Sequence, residues 1–269
     1  MKLDMNLAWR DATAMIGANR EVLLIVAGIF FFLPGLAMTF VMPDFAGALE
    51  NQQQMQQMVM DFYSGFWWLF LLSFVAQIIG YLTLLTLLRT DSKPTVGEAL
   101  RAGLGGLLPA IGAYLILTFG LGLIAAVVVG IGAATGNGVA VGICFAAVFV
   151  LMVYAMIKCS LTGATIAIEQ IRNPVSALRR SWQLTKGNSS RLFLFFVLIV
   201  LVYFVASILV GVVFSVVFLA LGPSVGVITS GIASGIVSAI ATLVFVAAIA
   251  AAHRQLSGGT QNNVDDIFG

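Results

Sequence analysis

The residues best suited to chemistry lie in one polar stretch, NPVSALRRSWQLTKGNSSR, which covers residues 173–191. At helical spacing its apolar side chains Val175, Leu178 and Trp182 share one face, and the basic side chains are expected outside that face. A helix with an apolar and a basic face suits a membrane surface, where cationic side chains attract anionic headgroups. The residues predicted to bind lipid or a partner there are Arg179, Arg180, Trp182, Lys186 and Arg191.

The sequence contains no recognisable catalytic or metal-binding constellation. It has one histidine, His253, and two cysteines, Cys144 and Cys159, which lie in one apolar run. The spacings typical of zinc sites, P-loops, dinucleotide-binding loops and nucleophile elbows are missing. We therefore expect a protein that is not an enzyme, needs no metal or cofactor, and does not bind nucleic acid.

The composition is that of a multi-pass membrane protein. Hydrophobic residues make up 61% of the 269 residues and charged residues only 9%, which is far outside the range of soluble domains. The apolar runs predict an all-α fold in which residues 1–256 form one membrane domain and residues 257–269 a disordered tail. The six predicted spans cover residues 22–42, 64–88, 104–132, 138–168, 192–221 and 225–252.

The distribution of basic residues predicts the orientation in the membrane. All 13 lysines and arginines lie near the N-terminus, at residues 89–101, at residues 158–191 or at Arg254. The connections around residues 43–63, 133–137 and 222–224 contain none. Because basic loops stay on the cytoplasmic side, both termini are expected in the cytoplasm.

Two further amphipathic segments precede apolar runs in the way that residues 174–186 do. Residues 5–18 carry an apolar stripe at helical spacing, and residues 95–103 begin with Thr95 and Glu98 at the spacing of a capping box. The chain is therefore predicted to consist of three hairpins, each preceded by a cytoplasmic interfacial helix.

Several residues inside the spans carry specific expectations. Pro34 is predicted to kink the first span or act as a hinge. Gln77 is expected to hydrogen-bond to another helix or to contact a substrate. Lys158 is expected to reach toward the cytoplasmic interface, with a headgroup or substrate contact as the alternative. Small residues in the sixth span predict close helix packing, within the chain or across a dimer: Ser230, Gly231, Ser234, Gly235 and Ser238.

Three polar segments together resemble a known family. They are WRDATAMIGANRE, SKPTVGEALRAGL and NPVSALRRSWQLTKGNSSRLF, each before an apolar run, and they are similar to the bacterial integral-membrane domain associated with glycerophosphoryl diester phosphodiesterases. The resemblance implies a bacterial inner-membrane protein linked to phospholipid or envelope biology. Some members carry a separate phosphodiesterase barrel. We expect no such barrel here, because the spans and short connections use nearly all of the chain, so the resemblance implies no activity.

Three functions are compatible with the sequence. The leading hypothesis is a non-catalytic membrane module, involved in envelope or lipid homeostasis, that engages anionic phospholipid or a partner through residues 173–191. The second is a permease for a small solute or lipid, with a cavity among the first four spans near Pro34, Gln77 and Lys158. The third is a scaffold subunit that binds another membrane protein, or a second copy, through the small residues of the sixth span.

Overall fold

The protein is an all-α bundle. A computed structural model describes residues 2–43, 51–89 and 94–258, and no strand occurs within those ranges. Six helices are long and apolar enough to cross a membrane, so the predicted all-α fold with six spans is confirmed. These helices are Arg20–Val41, Gln52–Leu87, Val96–Ala134, Gly138–Ala167, Ser189–Val216 and Ile228–Leu256.

The elements of the described residues follow one another with short connections. The first four are α1 (Met5–Ala18), α2 (Arg20–Ala27), a π-helical turn (Gly28–Phe32) and α3 (Leu33–Val41). They are followed by α4 (Gln52–Leu87), α5 (Val96–Ala134), α6 (Gly138–Lys158), α7 (Thr162–Ala167), α8 (Pro174–Leu184), α9 (Ser189–Leu221) and α10 (Pro223–Leu256). Of the tail predicted to be disordered, residues 259–269 lie outside the described residues.

Helix α1 has the bounds that the sequence predicts. Asp4 caps it, because its Oδ1 accepts hydrogen bonds from the N–H groups of Asn6 and Leu7 at 2.9 and 3.0 Å. Ala8 and Ala12 are buried on the side that packs against α10. That α1 lies on a membrane surface stays a prediction.

The first span contains a π-helical turn directly before Pro34. The Leu33 N–H donates to the Gly28 carbonyl, one residue further back than in an α-helix. Proline has no N–H to donate and its ring crowds the preceding turn, so the wider turn relieves that conflict. The structure thus places an irregular turn where the sequence predicts a kink, and a hinge motion at Pro34 stays a prediction.

Helix α4 starts earlier than the second span was predicted to start. It begins at Gln52, capped by the Asn51 side chain, rather than near residue 64. Its 36 residues give a length of about 54 Å, whereas the hydrocarbon core of a bilayer is about 30 Å thick. The N-terminal turns of α4 therefore extend the span beyond the apolar layer.

Helix α5 absorbs the segment expected to form the second interfacial helix. Thr95 and Glu98 form the predicted capping box, but residues 95–103 are not a separate element: the helix continues without interruption to Ala134. The intervening glycines do not break it, since a glycine lowers helix stability by only about 1 kcal/mol.

Helices α9 and α10 meet at Gly222, which has a φ of +83°. Pro223 occupies the first turn of α10, where its missing N–H leaves no hydrogen bond unmade. The small residues of α10 pack within the chain: a Cβ added to Gly231 would lie 2.6 Å from Thr39, and one added to Gly235 would lie 3.0 Å from Phe32. Ser234 and Ser238 are exposed, and Ser230 is half-buried.

The buried core lies at one end of the bundle. We call this the basic end, defined by residues 2–20, 94–101, 158–191 and 253–254. Side chains that are at most 2% exposed come there from several elements: Leu3, Leu23, Leu82, Leu84, Leu85, Leu161, Ile166, Leu192, Leu243 and Val246. Helices α5 and α6, by contrast, expose most of their apolar residues, which is expected for surfaces that face lipid.

Gly80 offers a test of how closely the first and second spans pack. A Cβ added at this position in α4 would overlap the side chain of Phe30 in the π-helical turn. Gly80→Ala should therefore destabilise the protein by about 1–3 kcal/mol, measured by SDS-induced unfolding in micelles. Gly65→Ala in the same helix is the control, because a Cβ there meets nothing within 4 Å. Equal effects of the two substitutions would contradict the packing described.

Candidate functional site

The fourth apolar helix is interrupted at the basic end, although the sequence predicts an unbroken span. Helix α6 ends at Lys158 and α7 begins at Thr162. The Lys158 carbonyl accepts hydrogen bonds from the hydroxyls of Ser181 and Thr185 at 2.8 and 3.3 Å. The Leu161 N–H donates to Ser181 Oγ at 3.2 Å. Hydroxyl groups of α8 and its C-terminus thus satisfy backbone groups at the interruption.

The same contacts fasten α8 to the bundle. Asn173 caps the helix and Pro174 occupies its first turn. Ala177, Ser181 and Leu184 are buried. Two of these three side chains are small, which allows the α8 backbone to approach the turn before α7 closely. The helix is therefore held by a face that is mainly small and polar.

An ion cluster joins the segment after α7 to α8 and α10. Glu169 lies in that segment, and Arg180 Nε is 3.2 and 2.9 Å from its two carboxylate oxygens. His253 Nε2 is 2.9 Å from Glu169 Oε1, and the histidine is 3% exposed. Because an ionised carboxylate only accepts hydrogen bonds, both Arg180 and His253 act as donors. His253 is therefore a buried structural partner of Glu169.

The pKa of Glu169 reflects two opposing effects. Burial raises the pKa of this carboxyl, but hydrogen bonds and charge interactions with His253 and Arg180 outweigh burial and lower the pKa to about 2. Glu169 is thus a carboxylate at neutral pH. The two bases that face it leave little attraction for further cations.

The Lys158 ammonium group is buried. The residue is 4% exposed, and Nζ lies 5.5 Å from the ring centroids of both Tyr154 and Trp182. Nζ also donates to the Thr185 carbonyl at 3.5 Å. Two aromatic faces and a carbonyl thus stabilise the charge within the protein, and a position of Lys158 near the cytoplasmic interface stays a prediction.

The start of the chain and the end of α10 complete the basic end. The Leu3 N–H donates to Asn188 Oδ1 at 2.8 Å, and Arg191 Nη1 donates to the Leu3 carbonyl at 3.0 Å. Asp4 and Gln255 exchange two hydrogen bonds, at 3.1 and 3.3 Å. Residues far apart in sequence thereby hold the turn after α8 in place.

The structure separates the five predicted binding residues into two groups. Arg180 and Arg191 each hydrogen-bond within the protein, to Glu169 and to the Leu3 carbonyl, although Arg191 is exposed and the Arg180 side chain is 38% exposed. Arg179 and Lys186 are exposed, and Trp182 is 44% exposed although its ring packs edge-on against Tyr154. The second group is therefore more available to a ligand than Arg180 and Arg191, whose side chains already bind within the protein.

The exposed group forms a surface that we call the outer face of α8: Val175, Arg179, Trp182 and Lys186. Val175, Arg179 and Trp182 are four and three residues apart and so lie on one stripe of α8, Lys186 follows in the turn after the helix, and Val175 is 60% exposed. From the sequence, apolar and basic side chains are expected on separate faces of this helix. They share one instead, because the small side chains of α8 occupy the buried side.

Gln77 lies in another part of the molecule. It lines a cavity of about 400 Å³ between α4, α5 and α7, together with Tyr81 and Thr162. Pro34 and Lys158 do not line this cavity. Its walls nevertheless come from all of the first four spans, with Phe31 from the first and Cys159, next to Lys158, from the fourth, so a cavity lies where the sequence predicts one.

Sequence reasoning missed the roles of Glu169, His253 and Ser181. One signal was available for Glu169, because it is the only acidic residue between Glu98 and Asp265. A single carboxylate among many bases is a natural centre for an ion cluster. For Ser181 no local signal exists, since its partners depend on the tertiary arrangement.

Comparisons of the chain with protein-family models, with curated proteins and with solved structures found no match. The geometry of the basic end is therefore the basis for assigning a function.

The ion cluster predicts a pH dependence of stability. Because the pKa of Glu169 is lowered from 4.5 to about 2 on folding, its stabilising effect is complete above pH 4.5. The effect is lost as the pH falls from about 4.5 to about 2. Thermal unfolding in micelles between pH 2 and 7 should show this loss.

Glu169→Gln should remove that part of the pH dependence and destabilise the protein at neutral pH by about 1–3 kcal/mol. Glu21→Gln is the control, because Glu21 is exposed and surface substitutions change stability by about 0.5 kcal/mol or less. An unchanged acid profile in Glu169→Gln would exclude the cluster as its source.

Proposed function

We propose that the protein is a non-catalytic membrane module that binds anionic phospholipid headgroups at its basic end. The observation that carries this proposal is the outer face of α8, where Arg179 and Lys186 flank the exposed ring of Trp182. An amphipathic aromatic ring suits the headgroup layer, and the two cations complement anionic headgroups.

The rigidity of α8 supports the proposal. Its buried side is held by the Asn173 cap, by the hydrogen bonds of Ser181 and by the pair of Arg180 with Glu169. A helix that is already ordered loses little conformational entropy when it binds. The binding residues are accordingly Arg179, Trp182 and Lys186, while Arg180 and Arg191 position the helix.

The distribution of charge supports a location. Every lysine and arginine of the described residues lies at or next to the basic end, and both ends of the described chain are there. By the positive-inside rule, this distribution supports a cytoplasmic location for the basic end. A bacterial inner membrane, implied by the resemblance of three polar segments to a bacterial membrane domain, provides anionic phospholipid on that side.

A permease is the second candidate, and one observation favours it. The cavity lined by Gln77 lies among the spans, where transporters bind substrates. No Asp, Glu, Lys, Arg or His side chain lines that cavity, however, so no residue that is charged at neutral pH is there to couple transport to an ion gradient. The scaffold hypothesis has less support, since the space beside Gly231 and Gly235 is already filled by side chains of the first span.

Removing the two exposed cations of α8 should weaken lipid binding. Each well-placed basic residue contributes about 1 kcal/mol near an anionic surface, so Arg179→Gln with Lys186→Gln should reduce affinity for phosphatidylglycerol roughly 30-fold. The measurement is native mass spectrometry of protein released from bilayers of phosphatidylglycerol and phosphatidylcholine. The anionic lipid should be enriched on the unmodified protein and lose that enrichment in the double variant.

The matched control exchanges the same two residues as Arg179→Lys with Lys186→Arg, which keeps both charges and should keep the enrichment. Both side chains are exposed, so unfolding should be unchanged in either variant. Equal enrichment in the glutamine variant and the control would refute the proposal.

A further inference from the structure

The cavity beside the interrupted fourth span has the composition of a ligand site. It encloses about 400 Å³, and its walls include the aromatic rings of Phe31, Phe74 and Tyr114. The rings of Phe74 and Tyr114 lie 5.9 Å apart at an angle of 59°. Both the volume and the aromatic walls are typical of sites for small apolar molecules, and flat rings pack well against such walls.

Three polar side chains line the same cavity: Gln77 and Tyr81 from α4, and Thr162 from the start of α7. Thr162 is 8% exposed, and its Oγ1 has no hydrogen-bond partner within the described ranges. A buried hydroxyl without a partner is unfavourable. A ligand oxygen next to Thr162 would satisfy it.

The charge and accessibility of the cavity restrict the ligand further. None of the residues that line it is acidic or basic, so a charged ligand would be buried without a counter-charge. Phe74, Gln77 and Tyr114 are exposed on the outer surface of the spans. The mouth of the cavity therefore opens toward the bilayer rather than toward water.

The position of Tyr81 depends on a glycine in α7. A Cβ added to Gly163 would overlap the Tyr81 ring and lie 2.6 Å from its hydroxyl oxygen. Any other residue at position 163 would push this ring away from α7. Gly163 thus places a hydroxyl-bearing ring on the cavity wall.

We propose that this cavity binds a neutral, ring-containing lipophile with a carbonyl oxygen, which enters from the bilayer and accepts a hydrogen bond from Thr162. Gln77, at the mouth, offers an amide to the same polar group. The site is separate from the outer face of α8 and takes a different class of ligand.

Benzophenone is a suitable probe because it is a neutral aromatic ketone that cross-links to nearby C–H bonds on irradiation. The full chain in lipid nanodiscs would be irradiated over a range of benzophenone concentrations, and the labelled peptides identified by mass spectrometry. We expect saturable labelling of residues 74–81, 110–117 or 159–166. Diphenylmethane, which has the same rings without the carbonyl, should compete poorly.

Two threonine substitutions distinguish hydrogen bonding from simple packing. Thr162→Val should raise the benzophenone concentration that gives half-maximal labelling about five- to tenfold, as expected for one lost hydrogen bond. Thr83→Val is the matched control: Thr83 Oγ1 is also buried without a partner among the described residues, but Thr83 does not line the cavity. It should leave the labelling unchanged.

A third variant tests the location without touching a polar group. Ala110 lines the cavity and is half-buried, so Ala110→Leu should fill the space and suppress saturable labelling. Thermal unfolding of each variant serves as the check that the bundle is intact. Labelling that does not saturate, or that is the same in folded Thr162→Val as in the unmodified protein, would overturn the proposal.

Discussion

The basic end depends on backbone groups that the fourth apolar helix leaves unpaired. Inside a bilayer a backbone N–H or carbonyl without a partner costs several kcal/mol, so an interrupted helix survives only where other groups replace its bonds. Ser181 does this twice, because a hydroxyl can donate to the Lys158 carbonyl and accept from the Leu161 N–H at once. The interruption of the fourth apolar helix and the docking of α8 therefore depend on the same hydrogen bonds.

Once α8 is docked, the remaining charges are divided between structure and surface. Glu169 neutralises Arg180 and binds His253, and the Lys158 ammonium is enclosed by aromatic rings. These charges are satisfied inside the protein, where an unpaired one would be costly. Arg179 and Lys186 have no such role and face outward. The surface charge of the outer face of α8 therefore comes from the basic side chains that the fold does not pair internally.

The sequence predicts the features that depend on local pattern. The six apolar runs, the bounds of α1, the Asn173 cap and the turn at Gly222 all follow from composition, periodicity or the conformational preference of single residues. The continuation of α5 through residues 95–103 was missed because a capping box marks where a helix starts but not whether it ends before the span.

The candidate site was predictable only in outline. A basic and aromatic stretch pointed to residues 173–191, but which of its cations are free depends on partners that are distant in sequence, such as Leu3 and Glu169. The burial of Lys158 has the same origin. Its environment is built by α8, so its own apolar run does not reveal that its ammonium group is buried.

Different residues of the turn between α6 and α7 contact α8 and line the cavity. Lys158 and Leu161 point their backbone groups to α8, while Cys159 and Thr162 line the cavity. A continuous helix would use the backbone groups of this turn for its own hydrogen bonds and would leave none for Ser181. The interruption therefore holds α8 on one side and forms part of the cavity wall on the other. A displacement of this turn would change both the position of α8 and the shape of the cavity.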